Sequence, residues 1–276
     1  MNFLRRRGLR AKIAPITPYL DVLLAPTTFA AALQMRIVRE IGLERLRACR
    51  SLFESMGVFP LRDHYYEPLF RTKQLRGKLD VPRPLPGIEL DLPSQLVRLR
   101  ELQYQDELKT FPRTGAKPGH FAYDCGNFGP GDAEILYSVI RHKRPRRVVE
   151  VGSGFSTLVA QAALERNRRE HGIQSEHQCI EPFEMAWLES TGAHVIRKPV
   201  EQVDTAIFKQ LESGDILFID TSHILRPGGD VLFLYQQVLP QLAKGVLVHV
   251  HDIFTPYDYP ESWLIDRFCF WNEQYL

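Results

Sequence analysis

The stretch VVEVGSGFST, residues 148–157, decides the fold. It reads as an apolar β-strand carrying one acidic residue, followed by a glycine turn whose second glycine opens a helix. Gly152 and Gly154 let the backbone turn sharply and approach a ligand closely, where a Cβ would obstruct it. The turn is therefore a seat for a small molecule. A dinucleotide fingerprint would carry a third glycine, but Phe155 and Ser156 follow here instead.

Outward from this stretch, short β-rich runs at 178–181, 194–197, 215–220 and 246–250 alternate with helical patterns at 155–170, 202–212 and 230–242. That alternation predicts an α/β domain, a parallel sheet covered by helices on both faces. Upstream, Asp132 can cap a helix carrying Ile135, Leu136, Tyr137 and Ile140 before the basic break at 142–147. The first 119 residues read as a mostly helical or irregular accessory region, punctuated by prolines at 82, 84, 86, 93, 112 and 118. Its helical signals cover 28–56 and 92–108. The α/β domain is expected over 120–276.

In open parallel sheets, ligands sit beyond the carboxyl ends of the strands, and each strand end here supplies a polar side chain. Glu181, in IEPF, lies 27 residues after Gly154 and can accept hydrogen bonds from both hydroxyls of a ribose. FIDTSH and VHVHDIF place Asp220, His223, His249, His251 and Asp252 at two further ends. Two carboxylates and an imidazole can hold a divalent cation and leave positions open for a substrate. His249 and His251, two apart on a strand, point to one side.

The 148–157 stretch resembles motif I of the class I S-adenosylmethionine-dependent methyltransferases. That resemblance implies a Rossmann-like sheet in the order 3-2-1-4-5, with S-adenosylmethionine held by Glu150, Gly152, Ser153, Gly154, Glu181 and Asp220. The strand-end cluster is similar to that of the metal-dependent O-methyltransferases of catechol and macrolide-sugar type. It implies metal ligation by Asp220, His251 and Asp252, with His223 as the base for O-methylation of a small-molecule or glycan hydroxyl. An imidazole at 251 stands where that family has an oxygen ligand, which favours a softer ion over magnesium. The run from FGPGDAE at 128–134 to WNEQYL at 271–276, with HYYEPLF at 64–70, resembles a bacterial methyltransferase family linked with glycan and secondary-metabolite clusters. It assigns Tyr65 and Tyr66 to either an acceptor pocket or a packed aromatic pair. Tyr123, Asp124 and Asn127 are open in the same way.

Two other functions fit this layout. Cephalosporin-hydroxylase-like proteins share it, which implies a non-haem iron oxygenase; a catalytically silent binding protein is the other. Only 24 residues follow Asp252, too few for the antiparallel hairpin that usually completes a methyltransferase sheet. The strand at 246–250 is then an exposed edge that invites pairing with a second copy.

Composition bounds the rest. The 276 residues, 44% of them hydrophobic, are enough for one large domain with an extension. A net charge of +2 gives no case for a nucleic-acid partner, although Arg5, Arg6, Arg7 and Arg10 make the N-terminus locally basic. The apolar segment at 19–35 is interrupted by Asp21, Pro26, Thr27, Thr28 and Gln34, so it is expected to pack on a core rather than span a membrane. Cys49, Cys125, Cys179 and Cys269 are widely spaced, which fits reduced thiols in a cytoplasm.

Overall fold

The computed structural model describes residues 14–61, 68, 75, 79–183 and 185–276. Tyr65, Tyr66 and the basic run at 5–10 lie outside the described residues. The chain divides into two compact units, residues 1–76 and 77–276.

The second unit is built on a five-stranded sheet: β1 (Arg147–Val151), β2 (Glu176–Ile180), β3 (His194–Ile196), β4 (Ile216–Ile219) and β5 (Leu247–Val250). All neighbours are parallel and the order is β3-β2-β1-β4-β5. The expected α/β fold and strand order are therefore present. β4 is buried along its whole length and β1 from Val148 onward, as expected where both faces are covered by helices.

Side chains alternate between the two faces. On one, Val148, Ile216 and Phe218 pack under Ala133, Leu136 and Ile140 of helix α5 (Asp132–Lys143) and Val159, Ala160 and Ala163 of helix α6 (Phe155–His171). On the other, Val149, Val151, Leu217 and Ile219 pack against Phe208, Leu211, Phe233 and Leu234. Glu150 shares the α6 face, opposite Cys179 and Phe218 in register. Among the described residues β5 pairs only with β4, and Val248 on this edge is 37% exposed.

Several helices differ from their expected extents. The pattern at 28–56 is two helices, α1 (Thr17–Ile41) and α2 (Arg47–Met56), separated at Gly42, whose φ of +101° ends the first. Segment 92–108 likewise splits into α3 (Leu92–Glu101) and α4 (Gln105–Leu108). Residues 202–212 form one short helix, α7 (Ala206–Lys209). At 230–242, helix α8 (Asp230–Phe233) runs into a π turn at Leu234–Val238 and a 3-10 turn around Pro240. The cap of α5 is Gly131, not Asp132, and its N–H donates to Glu134 Oε2 at 2.6 Å.

The end of the chain is irregular between a π turn at Ser262–Asp266 and a 3-10 turn at Glu273–Tyr275. Trp263, Trp271, Tyr259 and Phe254 interlock edge to face with centroids 5.2–5.9 Å apart. Such contacts hold an irregular backbone that periodicity does not announce. In α1, Tyr19, Val22, Leu23 and Phe29 are 72–79% exposed among the described residues.

The β1 turn is sterically constrained at one glycine. Gly152 has φ +81°, and a Cβ there would stand 1.6 Å from the Asp220 carbonyl oxygen. At Gly154 the nearest atom to a Cβ would be Met185 Cε at 3.9 Å. Gly152→Ala is therefore expected to destabilise the protein by about 2–4 kcal/mol and Gly154→Ala by under about 1 kcal/mol, read from urea unfolding midpoints.

Candidate active site

Four strand ends converge. β1 leads into Gly152, β2 into Glu181, β4 into Asp220 and β5 into His251. The β1 and β4 ends are locked together, because Asp220 N–H donates to the Val151 carbonyl at 2.8 Å. Gly152, Glu181, Asp220, Thr221, Arg226 and Asp230 line a common cavity of about 370 Å³.

Glu181 is 8% exposed at the mouth of β2. Its carboxylate accepts the Phe183 N–H at 2.9 Å and the Ser153 N–H at 3.4 Å, so backbone donors fix its direction next to the glycine turn. Thr221 Oγ1 is buried on the cavity wall without a hydrogen-bond partner, an acceptor and donor that a polar ligand would satisfy.

Glu150 is placed differently from Glu181. It is 1% exposed and accepts from Ser156 Oγ at 2.5 Å, Thr157 Oγ1 at 2.7 Å and Cys179 Sγ at 3.3 Å, with His177 Nε2 at 3.1 Å. The carboxylate therefore anchors the first turn of α6 from beneath and has no free edge toward the cavity.

The second cluster lies at the β4 and β5 ends. Asp220, His223 and Asp252 bring one ligand atom each within 4.8 Å of one another. His223 Nε2 is 3.3 Å from Asp220 Oδ1 and 3.6 Å from Asp252 Oδ2. His251 Nδ1 stands 3.4 Å and 3.6 Å from the same two oxygens, with Nε2 3.6 Å from Asp132. The expected trio was Asp220, His251 and Asp252. Both imidazoles stand at nearly the same distances from the two carboxylates, and the His251 ring is flanked by Phe128 and Phe218 in tilted contacts at 5.3 and 6.2 Å. His249 lies on the same side as His251 and meets Phe218 edge-on at 4.8 Å.

Glu273 and Trp271 complete the cluster, and sequence reasoning assigned neither a role. Glu273, 1% exposed, holds His223 Nδ1 at 2.8 Å, and Trp271 lies 4.4 Å from the imidazole centroid. The backbone N–H groups of Asn272 and Glu273 donate to the His223 carbonyl. These bonds hold His223 at φ +57°, a conformation that costs a non-glycine residue energy and persists where its surroundings impose it. WNEQYL is visible as a motif, but nothing in its spacing says that its glutamate turns inward to a residue 50 positions earlier.

The charges in the cluster tune one another. Burial pushes the His223 imidazole down, but Asp220 and Glu273 outweigh it and raise its pKa to about 9. His251 is raised to about 10 against the same burial, by Asp132 and Asp220. Burial pushes the Asp220 carboxyl up, yet the two imidazoles bring it down to about 2. Burial, aided by the Asp220 and Asp132 charges, carries Asp252 upward against the pull of the two imidazoles. Burial and the neighbouring His251 charge push His249 down to about 4.

Residues 149–253 match the family model of a methyltransferase domain. The chain thus carries a segment similar to a methyltransferase domain. The match begins inside β1 and ends just past Asp252, so it includes the glycine turn, Glu181, Asp220, His223 and Asp252 but not Asp132, Trp271 or Glu273. An uncharacterised protein of Archaeoglobus fulgidus is 30% identical over 175 residues, covering 58% of this chain and 76% of that one. A Plasmodium falciparum protein, described as a protein-L-isoaspartate O-methyltransferase (beta-aspartate methyltransferase) in complex with S-adenosyl-L-homocysteine, is 12% identical. It covers 58% of this chain and 84% of its own with a TM-score of 0.34, too distant to bear on fold or substrate.

The shifted histidines set a pH dependence for the metal-free protein. Raised pKa values stabilise the fold fully below about 6.5, and this is lost as pH rises through about 9 and 10. The depressed Asp220 contributes above its ordinary 3.8, and its contribution is lost as pH falls through about 2. With chelator present, histidine NMR resonances are expected to titrate near 9 and 10 for His223 and His251 and near 4 for His249, with thermal stability declining above pH 9.

Proposed function

We propose that this methyltransferase uses S-adenosylmethionine to methylate a hydroxyl on a small molecule or glycan, assisted by a divalent cation. The observation that carries the reading is the single cavity that joins the glycine turn, the backbone-fixed Glu181 and Asp220. Gly152 and Gly154 offer bare backbone to the methionine portion, and the Glu181 carboxylate suits the ribose hydroxyls. Ser153 and Asp220 flank the same seat, while Glu150 acts from below by fixing the turn. When bound, the sulfonium supplies a methyl group already attached to a good leaving group.

The acceptor side falls to His223 and its neighbours. Glu273 occupies Nδ1, which directs Nε2 toward Asp220 and Asp252. Through Nε2, His223 takes the acceptor hydroxyl proton. In the ligand-free cluster that nitrogen keeps its own proton up to about pH 9, so the base requires the two carboxylates to be neutralised. Asp220 and Asp252, with either imidazole, have the donor chemistry to hold a divalent cation, which would lower the pKa of an acceptor oxygen.

One observation favours the silent reading. His223 is 4% exposed and engaged by protein partners, although Asp252 keeps a part-exposed side chain. An oxygenase would instead require ferrous iron and dioxygen and no methyl donor.

Calorimetric titration with S-adenosylhomocysteine, with and without divalent cations, tests cofactor and metal together. Glu181→Ala is expected to weaken binding by about 1–3 kcal/mol, and Gly154→Val to nearly abolish it by occupying the ligand's space. Unchanged affinity in both, with folding intact, would remove the cofactor assignment. For the chemistry, His223→Ala should lower turnover by about two to four orders of magnitude at nearly constant cofactor affinity. Asp252→Ala should instead weaken metal binding, and a chelator without effect on turnover would exclude a metal role.

A further inference from the structure

Two backbone hydrogen bonds lay residues 79–83 against residues 256–258 of the same compact unit. The Arg83 N–H donates to the Pro256 carbonyl at 2.9 Å, and the Asp258 N–H to the Leu79 carbonyl at 3.3 Å. Leu79 is buried there. The Arg83 guanidinium adds three contacts. Nη1 donates to Asp258 Oδ1, Nη2 donates to the Tyr257 carbonyl at 3.3 Å, and Cζ lies 4.9 Å from the centroid of the Tyr275 ring. Arginine can do all of this at once because its donors form a fixed planar fork that also stacks on aromatic faces. The paired side chains are 30% and 21% exposed, so solvent screens them less than it screens a surface pair.

Asp258, 175 positions after Arg83, connects this contact to the 3-10 turn Glu273–Tyr275. The same Oδ1 that receives Arg83 accepts the Tyr275 hydroxyl at 2.7 Å, so Tyr275 is gripped by its ring face and by its hydroxyl. Two residues earlier in that turn stands Glu273, which holds His223 Nδ1. A carboxylate as buried as Glu273 regains hydration if its turn swings outward, so the contact with His223 requires the turn to be held shut. Tyr259 Oη does this at the middle of the turn, accepting the Gln274 N–H at 3.3 Å. Arg83 and Asp258 do it at the end. Neither Arg83 nor the turn lies within the 149–253 segment similar to a methyltransferase domain.

We propose that Arg83 is a positioning residue for His223: through Asp258 and Tyr275 it keeps Glu273 on Nδ1, and so keeps Nε2 directed toward Asp220 and Asp252. The proposal rests on the reading of His223 as the base. Arg83 does not line the cavity at the glycine turn, so it acts on the orientation of the imidazole alone, and ligand affinity in that cavity is independent of it.

Nuclear magnetic resonance of the full-length, metal-free chain with isotope-labelled histidine tests this near neutral pH. A proton on His223 Nδ1 bound to a buried carboxylate gives a downfield, slowly exchanging resonance, identified by its absence in His223→Gln. In Arg83→Ala that proton should exchange with solvent at least about tenfold faster, or its resonance should vanish. Arg83→Lys, which keeps a cation on Asp258, should restore most of the protection. Tyr275→Phe removes only the hydroxyl bound to Asp258; it should give an intermediate loss, and it carries the test if Arg83→Ala does not fold. Circular dichroism and thermal unfolding establish that each variant is folded, and calorimetric titration with S-adenosylhomocysteine should give the same affinity for the wild type and Arg83→Ala. The proposal is overturned if the wild type lacks the protected proton, or if folded Arg83→Ala and Tyr275→Phe keep it unchanged. A merely structural tie would lower the melting temperature and leave this proton in place. Loss of S-adenosylhomocysteine affinity in Arg83→Ala would also overturn it, by showing a general loosening. A wild type that binds no S-adenosylhomocysteine would instead remove the function proposed above, a failure read separately from the fate of the proton.

Discussion

Everything in the catalytic unit depends on how closely β1 and β4 approach at their carboxyl ends. Parallel pairing runs without interruption from Val148–Ile216 to Val151–Ile219, and the next backbone bond, Asp220 N–H to Val151 carbonyl, continues it into the loops. At that point the Asp220 carbonyl occupies the space a side chain at position 152 would need. Glycine is thus required by the sheet before any ligand is considered. The same approach sets the Asp220 carboxylate beside the turn, so one strand pair joins the cofactor seat to the acidic cluster.

The two clusters show opposite ways of handling a buried carboxylate. Glu150 is saturated by hydroxyl, imidazole and thiol partners and works as a fixed support. Asp220, with two imidazoles at 3.3 and 3.4 Å and part of its surface open, retains capacity for a further partner. A carboxylate whose lone pairs are already spent on its own fold has little left to offer a ligand. Glu150 is thus committed to the turn by its protein partners, whereas Asp220 is not.

The sheet was legible because its strands are short, apolar and bounded by turns, and all five runs appear within a few residues of their expected limits. Glu181, Asp220 and Asp252 were legible for the same reason, since a strand end fixes where its next residue goes. The helical patterns were less so. Gly42 interrupts a periodicity that continues across it, and the 230–242 segment keeps helical spacing while its turns widen and then tighten. The pairing of His223 with Glu273 was not legible at all. It depends on aromatic packing of Tyr259, Trp263 and Trp271 that carries the final segment back over the β4 loop, a long-range arrangement without local periodicity.

Cys179 gives the glycine turn a chemical property of its own. Its thiol is fully buried beneath the turn, and burial together with the Glu150 charge pushes its ionisation well above the usual thiol range. Thiolate is the species that oxidants and alkylating reagents attack, so this sulfur is silent while β1 and β2 remain paired. Cys49 and Cys269 are partly exposed and open to such reagents. Oxidative conditions would thus mark the periphery of the protein first, and modification of Cys179 would record how often the sheet opens beneath its own ligand seat.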